Sequence, residues 1–260
     1  MSKVVVITGA SGGIGAALAR QLGAKGHSLV LAARREAELK KVAAESGKGA
    51  LAVVADVTRR ADVVRLRDEA LKAFGHIDVW VNNAGRGITR NVLELTDEDV
   101  DTIVAVNVKS ALYGMQAIVP HFKERGGGQL INVSSFLGRI PLASVRSVYS
   151  AAKAALNSLT ANLRMELRAQ PGIKISLVMP GVVSTDFAAN ALGAVPGGWS
   201  GAANYRSQTA DEVATLIAGL LENPVAELYT QGPQQKEMAV RYLQDPVAFE
   251  ESMAAPPRNR

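Results

Sequence analysis

The chain has 260 residues, 48% of them hydrophobic and 20% charged, with a net charge of +5. That is enough to bury a full core in one large α/β unit, and too ordinary a composition for a disordered or fibrous protein. With no cysteine there are no disulfides or thiolate metal sites, which suits a reducing, cytoplasmic setting, and three scattered histidines (His27, His76, His121) give no reason to expect a metal.

The amino-terminal apolar run of MSKVVVITGA is cut off at Gly9, too short for a signal-peptide core. No apolar run approaches the roughly 18 residues of a spanning helix, so no membrane association is expected. The modest basic excess is spread along the chain without interleaved aromatics, so no nucleic-acid partner is expected either.

Short β-branched runs alternate with helical periodicity. Strands are predicted over 3–8 (KVVVIT), 28–33, 49–57, 77–83, 128–135, 174–180 and 226–231. Helices are predicted near 14–25, 36–45, 59–74, 97–124, 147–169 and 211–222. Nearly continuous apolar strands alternating with helices predict one doubly wound α/β domain over 1–260, a seven-stranded parallel sheet with helices on both faces. Residues 186–208, rich in Gly and Ala and carrying Phe187, Trp199 and Tyr205, read as a substrate lid. The tail over 233–260 contains one short helical pattern, KEMAVRYLQD, before a polar, proline-bearing end.

After the first strand comes TGASGGIG, with Gly9, Gly13 and Gly15 leading straight into a helix. Such a turn lets backbone approach a pyrophosphate, whose charge the helix N-terminus accepts. Gly9 to Gly13 also matches G-x-S-x-G, the elbow of serine hydrolases, but that chemistry needs a later histidine and none follows His121. The second strand ends in Arg34 and Arg35 rather than an acidic residue, which favours a 2′-phosphate and hence NADP(H) over NAD(H). Asp56 closes the third strand, either beneath an adenine or as a helix cap.

The fourth strand ends in Asn82, Asn83, Ala84 and Gly85, the fifth in INVSS followed by FLG. Strand carboxyl ends face the ligand crevice in open α/β sheets. In YSAAK, Tyr149 and Lys153 stand four apart, one above the other on a helix, with only small residues between them.

TGASGGIG, NNAG, INVSS, YSAAK and PGVVST, in this order over roughly residues 3–232, resemble the short-chain dehydrogenase/reductase family, in its single-domain Rossmann branch. The resemblance implies a catalytic group of Ser135, Tyr149 and Lys153, with Asn107 of AVNV as a fourth member. It implies a cofactor lined by Ser11, Ile14, Asp56, Val57, Asn83, Lys153, Val183 and Thr185, with Pro180 and Gly181 closing the nicotinamide side. On this reading the Lys153 cation lowers the Tyr149 pKa so that the phenol can exchange protons with a carbonyl or alcohol substrate. Ser135 and Tyr149 are separated by one residue more than is usual in the family, which leaves Ser134 as a competitor for the serine role.

Arg86, Phe136, Leu137, Arg146, Phe187 and Trp199 are the substrate-pocket candidates, by their position beside catalytic strand ends and in the lid. Ketoacyl-(acyl-carrier-protein) reductases share the motifs but usually carry a glycine-rich segment where this chain has LYTQGPQQKEM, so a carbonyl reductase or alcohol dehydrogenase is preferred. A non-catalytic NADP-binding sensor on the same fold would be expected to have lost Tyr149 or Lys153. The family commonly pairs subunits through its two long helices, which implies a homodimer or homotetramer.

Overall fold

The computed structural model describes residues 1–193 and 206–253. It opens with β1 (Val4–Thr8), an apolar run buried along its whole length, as a strand covered on both faces must be. A glycine-rich turn leads into α1 (Gly13–Ala24), followed by β2 (Ser28–Ala33), α2 (Glu36–Glu45), β3 (Ala50–Val54), α3 (Arg60–Phe74) and β4 (Val79–Asn82). Next, α4 (Asp97–Val104) and α5 (Ser110–Glu124) form one long helix, widened by a π-helical turn over Ala105–Lys109. After β5 (Gly128–Val133) come α6 (Ser147–Glu166) and β6 (Ile173–Met179). The remaining elements are β7 (Val183–Ser184), β8 (Gln208–Thr209), α7 (Ala210–Gly219), β9 (Glu227–Tyr229), α8 (Pro233–Gln244) and α9 (Pro246–Met253).

Seven strands form a single sheet in the order β3-β2-β1-β4-β5-β6-β9, every pair parallel. The chain winds outward from β1 in both directions, as in a Rossmann fold. The strand order therefore reverses between β1 and β4, and a crevice opens there beyond the carboxyl ends.

Alternate strand residues feed two cores. Val5 and Ile7 of β1 face α1, α2 and α7, packing with Leu18, Leu22, Leu39 and Ile217. Val6 faces the opposite layer, where Trp80, Leu66, Ile118, Phe122 and Leu156 meet beneath α3, α5 and α6. Each such side chain stabilises the fold by roughly 1.5–3 kcal/mol on burial.

Polar groups inside the second layer are tied in series. Trp80 Nε1 donates to Asn82 Oδ1, Asn82 Nδ2 to Asn132 Oδ1 and Asn132 Nδ2 to Thr160 Oγ1. The chain of amides fixes the relative height of β4, β5 and α6, whose ends carry the site.

The elements differ from the sequence-based boundaries in instructive places. Predicted strand 49–57 stops at Val54, after which Ala55 to Val57 turn toward the crevice. Helix α7 starts at Ala210 because Thr209 caps it, Oγ1 accepting from Glu212 N while Glu212 Oε2 accepts from Thr209 N. The short pair β7–β8 and the helix α9 are additional to the elements predicted from the sequence. An 18-residue stretch of the helix spanning Asp97–Glu124 is, by length and composition, apolar enough to cross a bilayer, although no unbroken apolar run reveals it. Half of that stretch is buried within the protein, where its apolar face builds the core.

Candidate active site

The crevice is a cleft of about 530 Å³ reaching from the turn after β1 to the start of α6. Its floor is the glycine turn. Gly9 has φ +68°, and a Cβ there would lie 2.8 Å from Ala84 Cα, while one on Gly15 would lie 2.5 Å from the Gly9 carbonyl oxygen. The turn is thus closed to side chains, and the N-terminus of α1 faces open space, a cradle that fits the pyrophosphate of a dinucleotide.

Asn83 locks this cradle from the side. Its Nδ2 donates to the carbonyls of Thr8 and Gly9 at 2.9 and 3.2 Å, and Thr8 Oγ1 accepts from the backbone N–H groups of Asn83 and Ala84. At the β2 end, Arg34 and Arg35 line the cleft, and Arg35 clasps Ser11 through its Oγ and carbonyl. Asp56 and Val57 also line it; the Asp56 carboxylate accepts from Thr58 N and Oγ1, which is local turn geometry. Ser11, Gly13, Ile14, Gly85, Pro180, Gly181, Val183 and Thr185 complete this half of the lining.

At the other end, β5 releases Ser134 and Ser135 in opposite roles. Ser134 Oγ is directed into the protein, donating to Asn157 Oδ1 at 2.6 Å. Ser135 faces the cleft, and its Oγ accepts from Leu137 N at 3.2 Å. Both serines border the cleft, and the internal bonds of Ser134 leave Ser135 the freer hydroxyl.

Helix α6 brings Tyr149 and Lys153 to the same wall, 7% and 3% exposed. Lys153 Nζ donates to the Val133 carbonyl at 3.0 Å and stands 5.7 Å from the centre of the Tyr149 ring. Burial pushes the Tyr149 phenol up to about 12 and the Lys153 ammonium down to about 8. A hydrogen bond with Ser135 and the charge of Arg146 pull the phenol part of the way back. The expected lowering of Tyr149 by Lys153 is thus reversed: lost hydration outweighs the nearby charges, and the ammonium is directed at a carbonyl.

Asn107 sits in the π-helical turn, fully buried. Its Nδ2 donates to the carbonyls of Ile103 and Arg86, and its Oδ1 accepts from Arg86 N. The side chain is spent on backbone, so its place in the site is that of a clamp on the loop after β4.

Among the pocket candidates, Arg86, Leu137, Arg146 and Phe187 line the substrate end. Phe136 also borders the cleft, but its ring is buried and packs edge-on against Tyr229. Phe187 meets the Tyr149 ring edge-on with centroids 5.6 Å apart. The first part of the predicted lid lies on the loop after β4, with Leu192 N donating to the Gly87 carbonyl and Thr89 N to that of Leu192. Trp199 and Tyr205 lie outside the described residues. Sequence reasoning missed Leu142, Asn190, Gln231 and Met238, which also line the cleft. Asn190 lies within the predicted lid, whereas nothing in the spacing singles out Leu142, Gln231 or Met238.

The family model for short chain dehydrogenases matches residues 3–194. An uncharacterized oxidoreductase of Staphylococcus epidermidis is 38% identical over 183 residues, 70% of this chain and 79% of that protein. A short chain dehydrogenase/reductase from Burkholderia phymatum, solved in complex with NAD, superposes with a TM-score of 0.85 at 27% identity, covering 99% of this chain and 98% of that one. An alcohol dehydrogenase from the archaeon Thermococcus sibiricus, complexed with 5-hydroxy-NADP, gives 0.76 at 30% identity, covering 88% and 96%. These likenesses define the class as a short chain dehydrogenase/reductase, and the cradle described above fits a dinucleotide. The chain belongs to the short-chain dehydrogenase/reductase family.

Proposed function

We propose that this protein is an NADP(H)-dependent oxidoreductase that interconverts a carbonyl compound and its secondary alcohol, with Tyr149 as general acid and base. The observation that carries the reading is the meeting of Ser135, Tyr149 and Lys153 at one end of a cleft whose other end is the glycine cradle. When bound, the nicotinamide donates or accepts the hydride. Tyr149, kept protonated by burial, gives its proton to the substrate oxygen during reduction and recovers it from Lys153 or bulk water. Ser135 donates a hydrogen bond to the same oxygen as its negative charge grows. Lys153 holds the nicotinamide ribose and supplies the local positive charge. Asn107 positions these groups by fixing the backbone of residue 86 and of the helix it belongs to.

Arg34 and Arg35 support the preference for NADP(H), since a guanidinium pair at the end of β2 suits a 2′-phosphate. The outer faces of the helix over Asp97–Glu124 and of α6 are proposed to join subunits in a homodimer or homotetramer.

The deciding experiment follows NADPH consumption over aldehydes, ketones, diketones, quinones and ketoesters. At least one class is expected to be reduced, with Tyr149→Phe abolishing turnover while NADPH still binds. Binding of NADPH with no turnover across the panel would turn the reading toward a nucleotide-binding sensor.

A further inference from the structure

The substrate end of the cleft holds two guanidiniums that this chemistry does not use. Arg146 is the cap residue before α6, three residues ahead of Tyr149, and both side chains line the cleft. Its Nη1 donates to the Ile88 carbonyl at 3.0 Å. The guanidinium lies over Gly87, where an added Cβ would come within 3.1 Å of it and 2.9 Å of the Phe187 ring. Arg86 enters from the loop after β4, its backbone clamped by Asn107 and its Nε donating to the Asn190 carbonyl at 3.4 Å.

Among the described residues the ion pairs are made elsewhere, as at Arg90–Asp99, Arg139–Glu227 and Arg206–Glu212. The carboxylates that line the cleft are Asp56, bonded to Thr58 at the β3 end, and Asp186, exposed at the rim. Burial disfavours the charge on Arg146, whose guanidinium meets a backbone carbonyl but no carboxylate among the described residues of the cleft. A partly desolvated cation is stabilised when an anion meets it with matched hydrogen bonds.

We propose that Arg146 and Arg86 form a carboxylate-binding subsite, so that the substrate is a short oxo acid reduced to the corresponding hydroxy acid. The inference rests on the reading of Tyr149 given above. In the step, the carbonyl carbon gains the hydride of the reduced nicotinamide, the oxygen gains the Tyr149 proton, and the carboxylate is unchanged. Guanidinium forks bind a carboxylate through paired N–H donors, while Phe187 and Leu137 cover a short apolar chain.

Calorimetric titration of short oxo acids, their hydroxy acids and their neutral methyl esters, into protein alone and protein with NADP(H), tests this. The acids are expected to bind roughly tenfold or more tightly than the esters, the range of one charge-assisted hydrogen bond. Arg146→Met and Arg86→Met should each erase most of that difference with NADPH affinity unchanged, and Arg146→Lys should restore part of it. Equal affinity of acid and ester, or a preference that survives both methionine variants, overturns the subsite. If carbonyls are reduced without preference for acids, this inference alone fails. If acids bind in the expected order but no carbonyl is ever reduced, the subsite stands and the Tyr149 reading fails.

Discussion

Lys153 is held in the cleft wall with burial opposing its charge, and that has a measurable signature. With a folded pKa of about 8 against an ordinary 10.5, the unfolded chain binds more protons between these values. Stability therefore rises with pH through that window, by about 3 kcal/mol for the shift of some 2.5 units. Tyr149 acts in the opposite sense above pH 10, where the folded phenol keeps a proton that the unfolded one has lost. Urea unfolding of Lys153→Met should show a flatter rise between pH 8 and 10 than the parent protein, and an identical slope would contradict the assignment. At the cradle, Arg34→Ser should weaken NADPH roughly tenfold or more while sparing NADH, as loss of one charge-assisted contact to phosphate does. Equal losses for both nucleotides would remove the preference. Arg34 is the cleaner probe, because Arg35 also holds Ser11 in place. At this scale the sequence told residue types and spacing well. It misjudged the Tyr149 phenol because the direction of a pKa shift depends on hydration, which spacing does not encode.

The π-helical turn over Ala105–Lys109 is the element on which the loop after β4 depends. From within that turn, Asn107 Nδ2 donates both to the Ile103 carbonyl and to that of Arg86. Asn107→Ala would remove the donor to the Arg86 and Ile103 carbonyls, a loss of about 2 kcal/mol by the usual cost of such bonds. Chemical denaturation measures this, and a variant as stable as the parent would show that the clamp is not needed. Runs such as VVVIT and SLVLAA announce their strands because burial on both faces demands continuous apolar residues. The π turn has no such signature: Ala105 to Lys109 read as ordinary helix, and only the resemblance drew attention to Asn107. The pair β7–β8 is equally silent, since two residues a side are too few for any period.

At the scale of the whole molecule, the tail is part of the site rather than an appendage. Phe249 of α9 is 5% exposed and joins Phe136, Ile140 and Ala239 in one cluster, with the Tyr242 ring 5.7 Å away edge-on. Met238 of α8 reaches the cleft from the same layer. Phe249→Ala should cost about 3 kcal/mol as a large-to-small core change and raise the substrate KM through loosened packing under Met238. The Kd for NADPH should hold, since the cradle lies across the sheet. An unchanged KM would separate the tail from the pocket. Sequence periodicity showed α8 but not what it covers, because contacts between residue 136 and residues past 232 are set by where β9 ends.

Arg146 at the cap of α6, with Tyr149 and Lys153 three and seven residues further along it, gives the protein a graded ruler. On the proposed reading, recognition, proton transfer and ribose anchoring follow one another along a single rod. Exchanging the first mark retunes which molecules are accepted while the other two keep their register, so new specificities are reachable by one-residue changes that leave the chemistry alone.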